Sequence, residues 1–107
     1  MKFYLCNAFS INMLSRGGQD ISFVPVHPQA VINLLRNEDW ESAIGHEGTA
    51  SVVSDYLGVH VPARRVNVEL NGLSSLIIAQ YRGPRLEIGA VDLPDGATIE
   101  FWQVYLS

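Results

Sequence analysis

Apolar and polar positions alternate along this chain with two periods, and turn residues punctuate the change from one to the other. The run Phe3-Tyr4-Leu5-Cys6 predicts a first strand over Lys2–Cys6. A Gly-Gly-Gln-Asp turn at Gly17–Asp20 leads to a second strand, Ile21–Val26, where Ile21/Phe23 and Val24/Val26 form a mixed pattern. His27-Pro28 opens a helix, with Pro28 at the first helical position, where its missing N–H costs nothing. Val31, Leu34 and Leu35 share one face of it, and Arg36-Asn37-Glu38-Asp39 ends it. Trp40–His46 reads as a loop. A second helix runs from about Gly48 to Leu57, with Ala50, Val53 and Leu57 along one side and Gly58 where a left-handed C-terminal residue is wanted. Strands over Arg65–Leu70 and Leu76–Gln80, joined by Asn71-Gly72-Leu73-Ser74, read as a hairpin. Tyr81–Asp95 contains Gly and Pro and no periodicity, which predicts a long loop of the kind that often serves as a lid. Thr98–Leu106 closes the chain as a strand.

The order β-β-α-α-β-β-β predicts an α/β fold, a small single domain in which helices pack on a mixed β-sheet. At 107 residues the chain can build one core but not two, so residues 1–107 form one domain. Hydrophobic residues make up 48% and charged residues 17%, a globular balance that argues against disorder. No apolar run approaches the roughly 20 residues of a membrane span. Residues 1–6 lack the basic region, apolar core and cleavage site of a secretory signal, so the expected setting is the cytoplasm, with no membrane partner. Cys6, the single cysteine, cannot form an internal disulfide and reads as a small buried hydrophobe.

A net charge of −4 argues against a general nucleic-acid binder, and DNA is not an expected partner. The positive residues are unevenly placed, however: Arg64-Arg65 and Arg82/Arg85 form two small clusters, each beside a predicted strand. The planar guanidinium fork matches phosphate geometry, so an acidic chain can still hold a few phosphates in a focused pocket. Taken singly, each of these arginines also reads as a solvated surface residue.

Directly after the first strand come Asn7, Ser10 and Asn12, three uncharged donors and acceptors that suit a sugar- or phosphate-bearing ligand. Asn7 or Ser10 serves equally as the cap of a short helix. Among the histidines, His27 and His60 adjoin Pro28 and Pro62 in connections and read as structural or solvent-facing. His46 follows Ile44-Gly45, where glycine permits close backbone approach, and immediately precedes a helix. It has two readings there: cap of that helix, or proton donor to a phosphate held by the free amides of the helix end.

Carboxylates are scattered, there is no His-x-x-x-His pair on a helical face, and Cys6 stands alone, so neither a metal nor another cofactor is expected. Walker, nucleophile-elbow and dinucleotide fingerprints are absent. Phosphodiester cleavage without metal restricts the substrate to RNA, whose 2′-hydroxyl can act as an internal nucleophile.

Asn7-Ala-Phe-Ser-Ile-Asn-Met-Leu14, Ala43-Ile-Gly-His46, the Arg65-Val-x-Val-x-Leu70 strand and the Gln80–Gly89 segment together resemble the viral type III anti-CRISPR ring nucleases and their prokaryotic relatives. The resemblance covers nearly the whole chain. It implies a small α/β domain working as a homodimer that binds cyclic tetra-adenylate across its two-fold axis. It also implies cleavage of that second messenger, which would switch off type III CRISPR signalling. The family's catalytic histidine corresponds to His46, as general acid, and its binding positions to Asn7, Ser10, Asn12, Arg65, Gln80 and Arg85. The family glutamate commonly lies three residues beyond the arginine; in Arg85-Leu86-Glu87-Ile88 the acid comes one place early, which makes Glu87 the candidate for that role.

The leading expectation is therefore a metal-independent phosphodiesterase acting on cyclic tetra-adenylate by 2′-hydroxyl attack, leaving 2′,3′-cyclic phosphate ends. Its rival is a non-catalytic cyclic-oligonucleotide binding protein, a sponge or sensor, which needs no proton donor. A third reading is a structural dimer whose polar residues cap helices.

Overall fold

Five segments pair into one sheet in the order β2-β5-β4-β1-β3, with β1 Lys2–Cys6, β2 Ile21–Val26, β3 Trp40–Ala43, β4 Ser74–Arg82 and β5 Thr98–Leu106. The computed structural model describes residues 2–14, 20–70, 74–86 and 89–106, the side chain of Ser74 excepted. Strand β1 lies between β3 and β4 and is parallel to both, whereas β5 runs antiparallel to its neighbours β4 and β2. The expected class, an α/β domain with a mixed sheet, is the one observed.

Strand alternation divides the core in two. Phe3 and Leu5 of β1, Ile77 and Ala79 of β4, and Ile99 and Phe101 of β5 face the helices α1 (Pro28–Asn37) and α2 (Glu47–Leu57). They bury against Val31 and Leu35 of α1 and Ala50, Val53 and Leu57 of α2, the residues whose helical spacing marked them as a core face. Gly58 ends α2 in the left-handed region at φ 67°, as its position required. The opposite face carries Cys6, Leu76, Ile78 and Val104, and is covered by Val68 and Leu70 with Phe9, Met13 and Val66 packed against them. Cys6 is buried in this layer, and burial pushes its thiol up to about 11.

Two expected elements differ. Trp40–His46, expected as a loop, begins with strand β3, in register with β1 from Phe3 opposite Trp40 to Cys6 opposite Ala43. Its polar Ser42 is buried, and its hydroxyl is satisfied by donating to the Pro62 carbonyl (2.6 Å) and accepting from the Ile44 amide (3.3 Å). The Trp40 indole stacks on Phe3 and donates to the Leu35 carbonyl at 3.1 Å.

The expected hairpin does not form, because β4 pairs with β1 and β5 instead. Residues 61–69 form no strand: Val61 packs in the helix-side core, the Arg64 amide donates to the Ile44 carbonyl at 2.8 Å, Val66 and Val68 cover the second face, and Leu70 makes a bridge, parallel to Leu14. The turn expected at Asn71–Ser74, up to Leu73, and that at Gly17–Asp20, up to Gln19, lie outside the described residues. The long loop expected from Tyr81 starts two residues later, since Tyr81 and Arg82 belong to β4.

Candidate functional site

Parallel pairing places the carboxyl ends of β1, β3 and β4 along one edge of the sheet, with Cys6 level with both Ala43 and Ile78. Open α/β sheets commonly bind ligands at this edge. Asn7 leaves β1 there, Ile44-Gly45-His46 leaves β3, and Gln80 stands two residues further along β4.

His46 is exposed and caps α2. Its backbone is extended (φ −106°, ψ 120°), and its Nδ1 accepts from the Thr49 amide at 3.1 Å. Thr49 Oγ1 lies 3.0 Å from the same nitrogen. The cap reading of His46 is therefore realised, yet it leaves the ring able to do chemistry. A nitrogen that accepts an amide proton carries none of its own, so the neutral ring is protonated at Nε2. His27 caps α1 in the same way, its Nδ1 accepting from the Gln29 amide at 3.1 Å.

Arg65 reaches this loop from the 61–70 cover. Its Nε donates to the Gly45 carbonyl at 3.3 Å, and a Cβ on residue 45 would lie 2.9 Å from Arg65 Cγ. The close approach anticipated at Gly45 is that of the Arg65 stem. Gly45→Ala is expected to break the bond and to cost about 0.5–1.5 kcal/mol, read as a lower urea midpoint at unchanged slope. A midpoint equal to the parent's would mean that Arg65 moves aside freely. A cavity of about 300 Å³, lined by Ala43, Gly45, Arg65, Val66 and Asn67, opens beside it.

Ser10 caps a 3₁₀ turn over Ile11–Met13, its Oγ accepting from the Asn12 amide at 3.3 Å, so for Ser10 the capping role holds. Asn12 is exposed in that turn. The Gln80 side-chain amide donates to the Tyr81 carbonyl at 3.1 Å, and Gln80 borders a second cavity of about 450 Å³ with Phe9, Phe23, Arg82 and Trp102. Phe9 meets Phe23 edge-on at 5.5 Å.

All four arginines of the two clusters are exposed; Arg64 pairs with Glu41 at 3.5 Å and Arg82 with Glu100, and Arg65 and Arg85 are the members that match the motifs. Glu41 also accepts from Lys2 Nζ at 2.6 Å, a bond that holds its carboxyl below the usual carboxylate range. Arg85 lies in the segment after β4, and Glu87 lies outside the described residues.

A larger cavity of about 530 Å³ opens elsewhere, between α2 and residues 60–63 and 89–91. Glu47 and Asp55 on its wall disfavour a phosphate, and it contains none of the residues singled out above.

Thus Asn7, His46, Arg65 and Gln80 come to one edge. Thr49 stands beside His46, and the aromatic group Phe9, Phe23 and Trp102 stands beside Gln80 on the covered face of the sheet, none of them singled out in the sequence. For Thr49 a signal existed: it follows the helix-capping His46 by three residues, the spacing at which an amide is reached.

Residues 3–101 match the STIV B116-like family model. The chain belongs to the STIV B116-like family. Among solved structures, B116 of Sulfolobus turreted icosahedral virus (STIV) is similar at 30% identity and a TM-score of 0.79, over 98% of this chain and 99% of that one. Among curated proteins none matches. The STIV B116-like match runs from β1 into β5 and so includes every residue of the edge described above. Among the described residues, no helix is long and apolar enough to cross a membrane.

Proposed function

We propose that this STIV B116-like protein is a metal-independent ring nuclease, which binds cyclic tetra-adenylate in a homodimer and cleaves it, switching off type III CRISPR signalling. The observation that carries the reading is His46. Its Nδ1 is engaged by Thr49, leaving Nε2 as the ring's proton-bearing atom, on the edge where Arg65 also arrives. The motif resemblance and the family membership support the same reading.

In the reaction a substrate 2′-oxygen attacks the adjacent phosphorus. The P–O2′ bond forms, the P–O5′ bond breaks, and the 5′-oxygen takes a proton from Nε2 of the charged His46 ring. The 2′-hydroxyl proton passes to solvent. The products carry 2′,3′-cyclic phosphate and 5′-hydroxyl ends. Arg65 and Arg85 hold phosphates, while Asn7, Ser10, Asn12 and Gln80 meet adenine edges and ribose hydroxyls. Glu87 assists as the family's glutamate does. Cavities of about 300 and 450 Å³ are too small to enclose four nucleotides, which supports a ring shared by two identical half-sites.

The protein is expected to cleave cyclic tetra-adenylate in the presence of a chelator, and to bind a ring of 2′-deoxy sugars without cutting it. Activity lost in chelator and restored by a divalent ion would overturn the metal-independent route. Tight binding with no cleavage would make the protein a sponge or sensor instead.

A further inference from the structure

Thr49 is one of only two polar or charged residues in the buried set of described residues, with 9% of its surface exposed, and both of its polar donor groups lie against His46. Its amide is 3.1 Å and its hydroxyl oxygen 3.0 Å from the same Nδ1. One contact suffices for a helix cap, so the doubling calls for an explanation. We infer that Thr49 is a positioning residue that keeps the His46 ring in one orientation through both of its protonation states.

The two contacts suit opposite states. In the neutral ring Nδ1 is an acceptor, and the Thr49 amide, a fixed donor, serves it. When the ring gains a second proton Nδ1 becomes a donor, which an amide N–H cannot satisfy and would repel. The Thr49 hydroxyl rotates about its C–O bond and presents a lone pair at nearly the same distance, so the proton is accepted without the ring turning away. A serine or aspartate cap in place of His46 would have no need of this pair of partners, since the need arises from histidine changing from acceptor to donor at a single atom. Nε2 keeps its place throughout.

The charged groups around the loop do not provide this service. Glu47, next in sequence, is exposed on the first turn of α2, and Arg65 is engaged with the Gly45 carbonyl. Glu41 of β3 pairs with Lys2 and Arg64. The inference rests on the reading of His46 as the proton donor for its consequence in catalysis, but the orientation itself can be measured without any substrate.

The test uses the full chain labelled with 15N-histidine, as parent, Thr49→Val and Thr49→Ser. Valine keeps the amide and the branched shape and removes only the hydroxyl. In alkaline solution, where the ring is neutral, all three proteins are expected to hold His46 as the Nε2–H form. In acid, the Nδ1–H signal should persist in the parent and in Thr49→Ser and be lost to solvent exchange in Thr49→Val. With cyclic tetra-adenylate, Thr49→Val should lower kcat about tenfold at unchanged KM, the worth of one hydrogen bond, and serine should restore it. An Nδ1–H signal in Thr49→Val as persistent as the parent's would overturn the inference, as would a parent-like kcat where His46→Ala is inactive. Should His46→Ala cleave as the parent does, the functional reading of His46 falls, while the spectra still decide the role of Thr49.

Discussion

His46→Ala is expected to lower turnover of cyclic tetra-adenylate by roughly 10²–10⁴-fold, the usual worth of a positioned general acid. Alanine also removes a helix cap, at about 1 kcal/mol. A loss of activity from that substitution alone could therefore reflect a frayed α2. His46→Asn separates the two effects, because asparagine is among the best capping residues and can accept from the Thr49 amide. It carries no proton that could be given to an alkoxide. The expected result is that the asparagine variant melts close to the parent and is as inactive as alanine, while both bind the uncleavable 2′-deoxy ring. Cleavage at the parent rate by the asparagine variant would remove His46 from the chemistry and leave it a cap.

Leu5→Ala is expected to destabilise the fold by about 2–5 kcal/mol. Leu5 is fully buried in β1, the strand that lies between β3 and β4, and it faces the helices. Against a typical domain stability of about 5–15 kcal/mol this is a large share. The urea midpoint should fall steeply with little change in slope. Truncation of exposed Ile11 should leave the midpoint where it was. If Leu5→Ala unfolded at the parent's midpoint, the burial of β1 between β3 and β4 against the helices would be wrong.

What the chain reveals before folding follows the range of the forces involved. Both helices were legible because their determinants are local: Pro28 and the spacing of Val31 and Leu35 in one, Gly58 and the spacing of Ala50, Val53 and Leu57 in the other. β1, β2 and β5 were legible from their apolar runs. β3 was not, because Trp40-Glu41-Ser42-Ala43 has no apolar alternation and becomes a strand only by lying against β1. Residues 65–70 erred the other way. Val66, Val68 and Leu70 alternate as a strand should, but they pack as cover on the second face while β4 takes partners from the two ends of the chain. Partner choice is a non-local matter that periodicity does not encode.

The site follows the same division. That His46 would sit at the start of α2 could be read from its position. That Arg65 would lie over Gly45, twenty residues away, depends on how the cover crosses the sheet. The cap and the proton donor looked like competing roles for His46 in the sequence. In three dimensions the cap engages Nδ1, so under the proposed function the two roles fall to different nitrogens of one ring.

Burial of Cys6 has a practical consequence for following this molecule in solution. With its thiol pushed up to about 11 by desolvation, almost none is thiolate at neutral pH, and the sulfur is shielded by the layer of Val68, Leu70 and Ile78. Alkylating reagents therefore meet it only when β1 detaches from that cover. The native chain carries its own clock for the opening of its first strand, and the intact fold offers a silent background on which a single cysteine introduced at the surface can be labelled selectively.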